Sequence, residues 1–279
     1  MSLSVLTLVK DRPGHLAQLI EGLSRSERQP DELVVVDMGS TPAVILPALP
    51  FPARTIRFGS AGLPLASARN AAAREARGEM LLFLDVDCIP MSGLIGKMED
   101  VLIGSPALVC SQVFYLGPDD ARDKNWSEQD LLTRASPHPA RQFPFSGLRE
   151  ERNPGLFWSL VFGIRRSAFF DIGGFDEAFT GYGAEDTDFG FRAKAAHLPL
   201  LFMGGAGAFH QHHGAFDPPL QHFADIVRNA QVFHNRWGQW PMEGWLGAFA
   251  DLGLIEWKET EIVITRSPSD EEICEACRG

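Results

Sequence analysis

The sequence predicts an α/β protein built on a mostly parallel central sheet flanked by helices, with a helical carboxyl-terminal extension. Two patterns carry that prediction. Short β-branched apolar runs alternate with segments of helical period through the first half of the chain. The run Glu79 to Leu84 contains almost no polar residue after its first position, as a strand covered on both faces requires. A chain of 279 residues is long enough for one or two domains. A 45% hydrophobic and 22% charged composition excludes wholesale disorder.

Ser4 to Val9 and Glu32 to Asp37 read as buried strands. Between them Leu16, Leu19, Ile20 and Leu23 fall on one helical face. Arg54 to Phe58 is a weaker strand. Ala66 to Ala76 is Ala-rich and reads as a helix that Gly78 stops. Strand Glu79 to Leu84, helix Leu94 to Ile103 and strand Ala107 to Tyr115 complete a first half of residues 1–116. The alternation breaks over 117–154, a Pro-, Asp- and Arg-rich stretch with one short helical candidate at Trp126 to Thr133. A second half, 155–215, holds a strand at Phe157 to Ile164, a helix at Glu185 to Ala196, and short extended pieces at Leu198 to Phe202 and Gly207 to Phe209. Residues 1–218 thus form one domain and 219–279 an extension. The extension opens with a helix at Pro219 to Trp237 and ends in a loose terminus around Ser267 to Glu272. Trp237, Trp240, Trp245 and Trp257 are expected to pack it onto the sheet.

Three clusters could carry chemistry. Asp85-Val86-Asp87 ends the apolar strand, where ligands of parallel sheets bind. In an extended segment both carboxylates face one side and Val86 the other. Adjacent like charges call for a cation, and oxygen ligands suit Mg2+ or Mn2+; a strand-end turn is the alternative. Gly181 to Asp188 opens a helix with Glu185, Asp186 and Asp188 in its first turn. Capping explains acids there in general, and a general base is the other use. Glu185 and Asp188 share a face by spacing, and Asp186 points elsewhere. His210-Gln211-His212-His213 follows a Gly-rich extended piece, and alternation sets His210 and His212 on one side, His213 on the other. Arg69 and Asn70 lie in the Ala-rich helix near the same strand ends. That Arg binds phosphate or pairs at the surface with Glu75.

Together these stretches resemble the GT-A glycosyltransferases of the large family-two group. Ala68-Arg69-Asn70 followed by Gly78 to Asp87 is similar to the family's signature running into its Asp-x-Asp motif. Phe175 to Phe179 through Gly183 to Arg192 resembles the galactosyltransferase-type motif that bacterial chondroitin polymerases share with animal β-1,4-galactosyltransferases. The resemblance implies an inverting transfer of a sugar from a nucleotide-sugar, UDP-linked by default, to a hydroxyl acceptor. It gives Asp37, Arg69, Asp85 and Glu185 to the nucleotide-sugar and Asp186 to the acceptor as base. Asp87 and His210, with His212 or its neighbour His213, go to the Mn2+ or Mg2+. Trp158, Tyr182 and the 117–154 stretch are candidates for the acceptor side. The first strand departs from the family, ending Leu8-Val9-Lys10-Asp11-Arg12 where Pro-Thr-Tyr-Asn-Arg is common.

Other classes fit less well. Twenty-five Lys and Arg against 36 Asp and Glu leave a net charge of -11, which argues against nucleic acid as a partner. No Gly-x-Gly-x-x-Gly or Gly-x-x-x-x-Gly-Lys-Ser follows the first strand, and no nucleophile-elbow Ser is present. A sugar nucleotidyltransferase would carry a Gly-rich basic loop at Val9 to Gly14, and that loop is unconvincing. A non-catalytic nucleotide-sugar binding protein would have no need of Asp186. Cys88, Cys110, Cys274 and Cys277 are too few for a disulfide scaffold, and no apolar run approaches a membrane span. A cytoplasmic setting is the simplest expectation. Homo-oligomerisation is left open by the sequence.

Overall fold

The computed structural model describes residues 1–59 and 62–278. In chain order the first half runs β1 (Leu3–Val9), α1 (Pro13–Ser24), β2 (Glu32–Asp37), β3 (Ala53–Arg57), α2 (Leu65–Glu75), β4 (Met80–Leu84), β5 (Cys88–Pro90), α3 (Leu94–Gly104) and β6 (Leu108–Tyr115). Then come α4 (Glu128–Arg134), β7 (Ser136–Pro137), β8 (Gly147–Glu151), β9 (Val161–Arg165), α5 (Arg166–Asp171), α6 (Glu185–Ala195) and β10 (Leu200–His210). The extension adds β11 (Ala215–Phe216), α7 (Phe223–Trp237), α8 (Glu243–Asp251), β12 (Ile255–Trp257), β13 (Ile262–Ile264), α9 (Asp270–Glu275) and β14 (Cys277–Arg278).

The main sheet runs β3-β2-β1-β4-β9-β6-β10-β5. Parallel pairings join β3 to β2, β2 to β1, β1 to β4 and β6 to β10, while β9 runs against both of its neighbours. Strand period two divides β1 between two cores. Leu3, Val5 and Val9 pack with Leu16, Leu19, Ile20 and Leu23 of α1, whereas Leu6 and Leu8 pack with the alanines of α2. Burial of each such Leu or Val is worth about 1.5–3 kcal/mol. Alanines in α2 keep that helix close to the sheet, and its Arg69 and Asn70 are buried with it.

Several expectations change. The helix α2 ends at Ala76 in an extended conformation, so Gly78 is no helix stop. A Cβ on Gly78 would lie 2.6 Å from the Ser4 Oγ, so the residue is Gly because the chain passes against β1 there. The strand read from Phe157 starts only at Val161. The Asn153 side chain accepts from the Gly155 amide and holds Pro154–Leu156 in a 3-10 turn under α6. The two extended pieces after α6 are one strand, β10, with a register shift between Met203 and Ala208. The stretch 117–154 is structured: α4 lies within it, and the Trp126 indole donates to Gln18 of α1.

The extension has its own core around Phe223, Ile226, Ala230, Leu246, Phe249 and Leu254. Trp240, Trp245 and Trp257 pack into this core and not onto the sheet. Trp237 instead packs, at a tilt, against Phe191 of α6. The terminus is ordered by a Ser269–Glu272 capping box on α9 and by pairing of β14 with β11. Among the described residues no helix is long and apolar enough to cross a membrane.

The extension is fastened to the site half by three α7 side chains, Asn229, Arg236 and Trp237. Asn229 donates to the carbonyls of Thr180, Tyr182 and Gly183, fixing the loop that leads into α6. Asp188, wholly buried, accepts from Arg192, from Arg236 of α7 and from the Trp237 indole. Spacing placed Asp188 on the face of Glu185, but its partners make it a structural counter-ion. Replacing Asp188 with Ala leaves these donors facing a void and is expected to cost about 3 kcal/mol, read as a lower denaturant midpoint.

Candidate active site

The site lies where β1, β4 and β10 end and α1, α2 and α6 begin. The chain turns at once after β4: the Cys88 amide donates to the Asp85 carbonyl at 2.8 Å. This is the strand-end turn, so Asp85 and Asp87 do not share one extended face. Val86 is buried as expected. The turn sends the two carboxylates to different partners.

Asp85 meets Arg69. The Arg69 guanidinium, only 4% exposed, lies 3.4 Å from Asp85 and 3.0 Å from Glu185 at the start of α6. It therefore joins the two halves and makes no surface pair with Glu75. The next residue, Asn70, donates to the Phe175 carbonyl and Glu177 and accepts from the Phe175 amide, latching the segment before α6 onto α2. Burial, helped by Asp87 and Glu185 and opposed by Arg69, raises the Asp85 carboxyl to about 7. Burial and Glu185 likewise raise Asp186 to about 6, although Arg69 and the neighbouring Thr187 and Ser159 backbone favour its charged form. Gly181, Gly183 and Ala184 all have positive φ, and this left-handed bend starts α6 with Glu185 and Asp186 at the crevice.

Asp87 meets the histidines. Its two oxygens lie 3.5 Å from His210 Nε2 and 3.4 Å from His213 Nε2, and Arg12 Nη1 lies 2.9 Å from the second oxygen. Burial works to raise Asp87, but His210, His213 and Arg12 outweigh it and hold the carboxyl well below its ordinary range. Burial lowers the pKa of His210, while the Asp87 hydrogen bond raises that of His213. Ligand atoms of Asp87, His210 and His213 lie within 4.8 Å of one another. One carboxylate and two imidazoles suit a divalent transition ion. Alternation assigned His212 here, but β10 ends at His210 and the chain leaves the strand. His213 turns back to Asp87 while the His212 carbonyl lies 3.4 Å from the His15 ring.

Asp37 is wholly buried and committed to its own loop. Its carboxylate accepts from the Gly39, Ser40 and Val44 amides and from Arg57. Burial opposes charge on Asp37, and these donors more than reverse it, lowering the pKa. Four donors fill the lone-pair sites of a carboxylate, so its immediate work is to shape the loop. On the other flank Tyr115 stacks on His210 at 4.8 Å, and His138 bridges Tyr115 to Trp158, whose ring centroid is 4.7 Å away. Tyr182 instead stacks on His222 within the extension's core. Sequence reasoning missed Arg12 and His138; Arg12 had a signal, its place directly after a parallel strand.

The chain is similar in sequence and in fold to known glycosyltransferases. The model of glycosyl transferase family 2 matches residues 4–173, and one described as the N-terminal domain of galactosyltransferase matches 148–213. Validoxylamine A glucosyltransferase of Streptomyces hygroscopicus subsp. limoneus is 30% identical over 227 residues, covering 71% of this chain and 49% of that protein. Probable N-acetylgalactosaminyltransferase 9 of Caenorhabditis elegans is 29% identical over 165 residues, covering 50% of this chain and 28% of that one. The chain thus spans half or less of the length of these relatives. Among solved structures, Staphylococcus aureus TarS 1-349 in complex with UDP-GlcNAc superposes with a TM-score of 0.56 at 14% identity, covering 90% of this chain and 80% of that one. GalNAc-T7 with UDP, GalNAc and Mn2+ gives 0.54 at 15% identity, covering 84% and 51%. The fold is that of the GT-A glycosyltransferases, and the chain belongs to glycosyl transferase family 2.

Proposed function

We propose that this chain is a metal-dependent, inverting glycosyltransferase that moves a sugar from a nucleoside diphosphate donor, UDP-linked by analogy, to an acceptor hydroxyl. One observation carries the reading: a carboxylate–imidazole ligand set and a carboxylate with a raised pKa adjoin the same Asp85–Arg69 pair. Asp87, His210 and His213 would hold Mn2+ or Mg2+. When bound, the ion offsets the charge that develops on the departing diphosphate. Arg69 holds Asp85 and Glu185 in place for the donor's sugar and ribose, and Asp37 shapes the loop beside the base. Asp186 takes the acceptor proton as the hydroxyl attacks the anomeric carbon from the face opposite the diphosphate, which inverts that centre. Trp158 and His138, adjoining Ser159 beside Asp186, offer an aromatic wall for the acceptor.

Two outcomes test this reading. Asp186→Asn is expected to abolish transfer while UDP, with Mn2+, still raises the thermal midpoint as in the wild type. Loss of both together would remove Asp186 from the role of base. A base must be ionised to act, so kcat/KM should climb through pH about 6. The stability sign is opposite: Asp186 binds its proton more tightly folded than unfolded, so its charge costs stability as pH rises from about 4 to about 6. Asp186→Asn should therefore gain stability relative to the wild type across that window, as read from paired denaturation curves. A constant difference would contradict the assignment.

A further inference from the structure

Arg12 is a cation already seated where the ligand set would take its ion. Its guanidinium donates to the Asp87 oxygen that His213 also faces, at 2.9 Å. It reaches that place from a constrained turn. Asp11 has φ +52, a left-handed conformation uncommon for a residue with a side chain. Two hydrogen bonds hold it there: the Asp11 amide donates to Ser40 Oγ, and the Thr41 amide donates to the Asp11 carboxylate. The Ser40 backbone amide in turn donates to Asp37. A continuous chain of contacts thus runs from the buried Asp37 through Ser40 and Asp11 to the position of Arg12.

We propose that Arg12 is an exchangeable counter-cation of Asp87: a divalent ion displaces it, and the nucleoside diphosphate then receives it. This rests on the metal site proposed above. The physical argument is charge balance. Asp87 is 8% exposed, so its buried carboxylate needs a cation beside it, and Arg12 at 2.9 Å is one. Arg12 supplies one charge, and a divalent ion on the same oxygen would supply two. Two cations on one oxygen repel, so ion entry requires Arg12 to leave. About a third of the Arg12 side chain is open to solvent, which gives it room to move. A diphosphate bound to the ion offers the freed guanidinium bidentate acceptors. Ion and nucleotide should therefore bind cooperatively, each favouring the state in which Arg12 has left Asp87, and the coupling must be reciprocal.

The test is calorimetric titration of Mn2+ into the purified chain, with and without saturating UDP. In the wild type UDP should tighten Mn2+ binding by about tenfold or more, within the usual range of such coupling. Arg12→Gln should bind Mn2+ several-fold more tightly than the wild type when UDP is absent, and the tightening by UDP should shrink. Arg12→Lys, which keeps the charge, should fall between them and controls for folding. Mn2+ affinity in Arg12→Gln equal to or weaker than the wild type without UDP would overturn the exchange. Asp87→Asn separates the two levels of the argument. If it abolishes Mn2+ binding while Arg12→Gln changes nothing, only the exchange fails. If it leaves Mn2+ binding intact, the metal site fails and the exchange with it.

Discussion

Most of the site depends on a single buried cation. Arg69 reaches from α2, in the first half of the chain, to Asp85 after β4 and to Glu185 at the start of α6. Its neighbour Asn70 ties the segment ahead of α6 to the same helix. Two consecutive residues of an Ala-rich helix therefore set the distance between the halves. A guanidinium suits this work better than an ammonium, because it stays charged when buried and its fork addresses two carboxylates at once. Removing it would leave two acids facing each other with little solvent to screen them, the costly way to break a buried pair.

Arg69 does not balance the whole crevice. Asp85, Asp87, Glu185 and Asp186 gather there, and Arg69 and Arg12 are the guanidinium groups paired with them. Burial, reinforced by this imbalance, pushes Asp85 and Asp186 upward, while Asp87, beside His210, His213 and Arg12, is pulled down. Carboxylates a few residues apart thus acquire different chemistry from their surroundings alone. An additional divalent cation would relieve the remaining repulsion and let an acidic protein hold a dianionic diphosphate. The extension contributes too: Asn229 and Arg236 of α7 secure the loop and helix that present Glu185 and Asp186.

Much of this was legible in the sequence because the first half obeys simple periods. Strands β1, β2 and β4 and helices α1, α2 and α3 lie within a residue or a few of their expected bounds. The motifs at Asp85-Val86-Asp87 and Gly183 to Asp188 come together in one crevice. The failures occur where local pattern is overridden by tertiary contact. Strand alternation was carried past its end at His210, which put His212 where His213 belongs. It was also carried past Leu84, where the chain turns. Helical spacing grouped Asp188 with Glu185, but α7, far along the chain, claims Asp188. Gly78 looked like a helix stop because the close passage against Ser4 has no local signature. Arg12 keeps the Arg of the familiar motif, but its pairing has no local signature, since its partner is 75 residues away.

The central claim is that the carboxylate and imidazoles at the ends of β4 and β10 form the cation site of a sugar-transfer centre. Anomalous diffraction from crystals grown with MnCl2 and UDP tests it most directly. The account predicts a manganese peak within bonding distance of Asp87 and His210, joined by His213 and a diphosphate oxygen, with Arg12 withdrawn from Asp87. UDP bound in the crevice with no manganese peak at these residues, or a peak on other side chains, would contradict it.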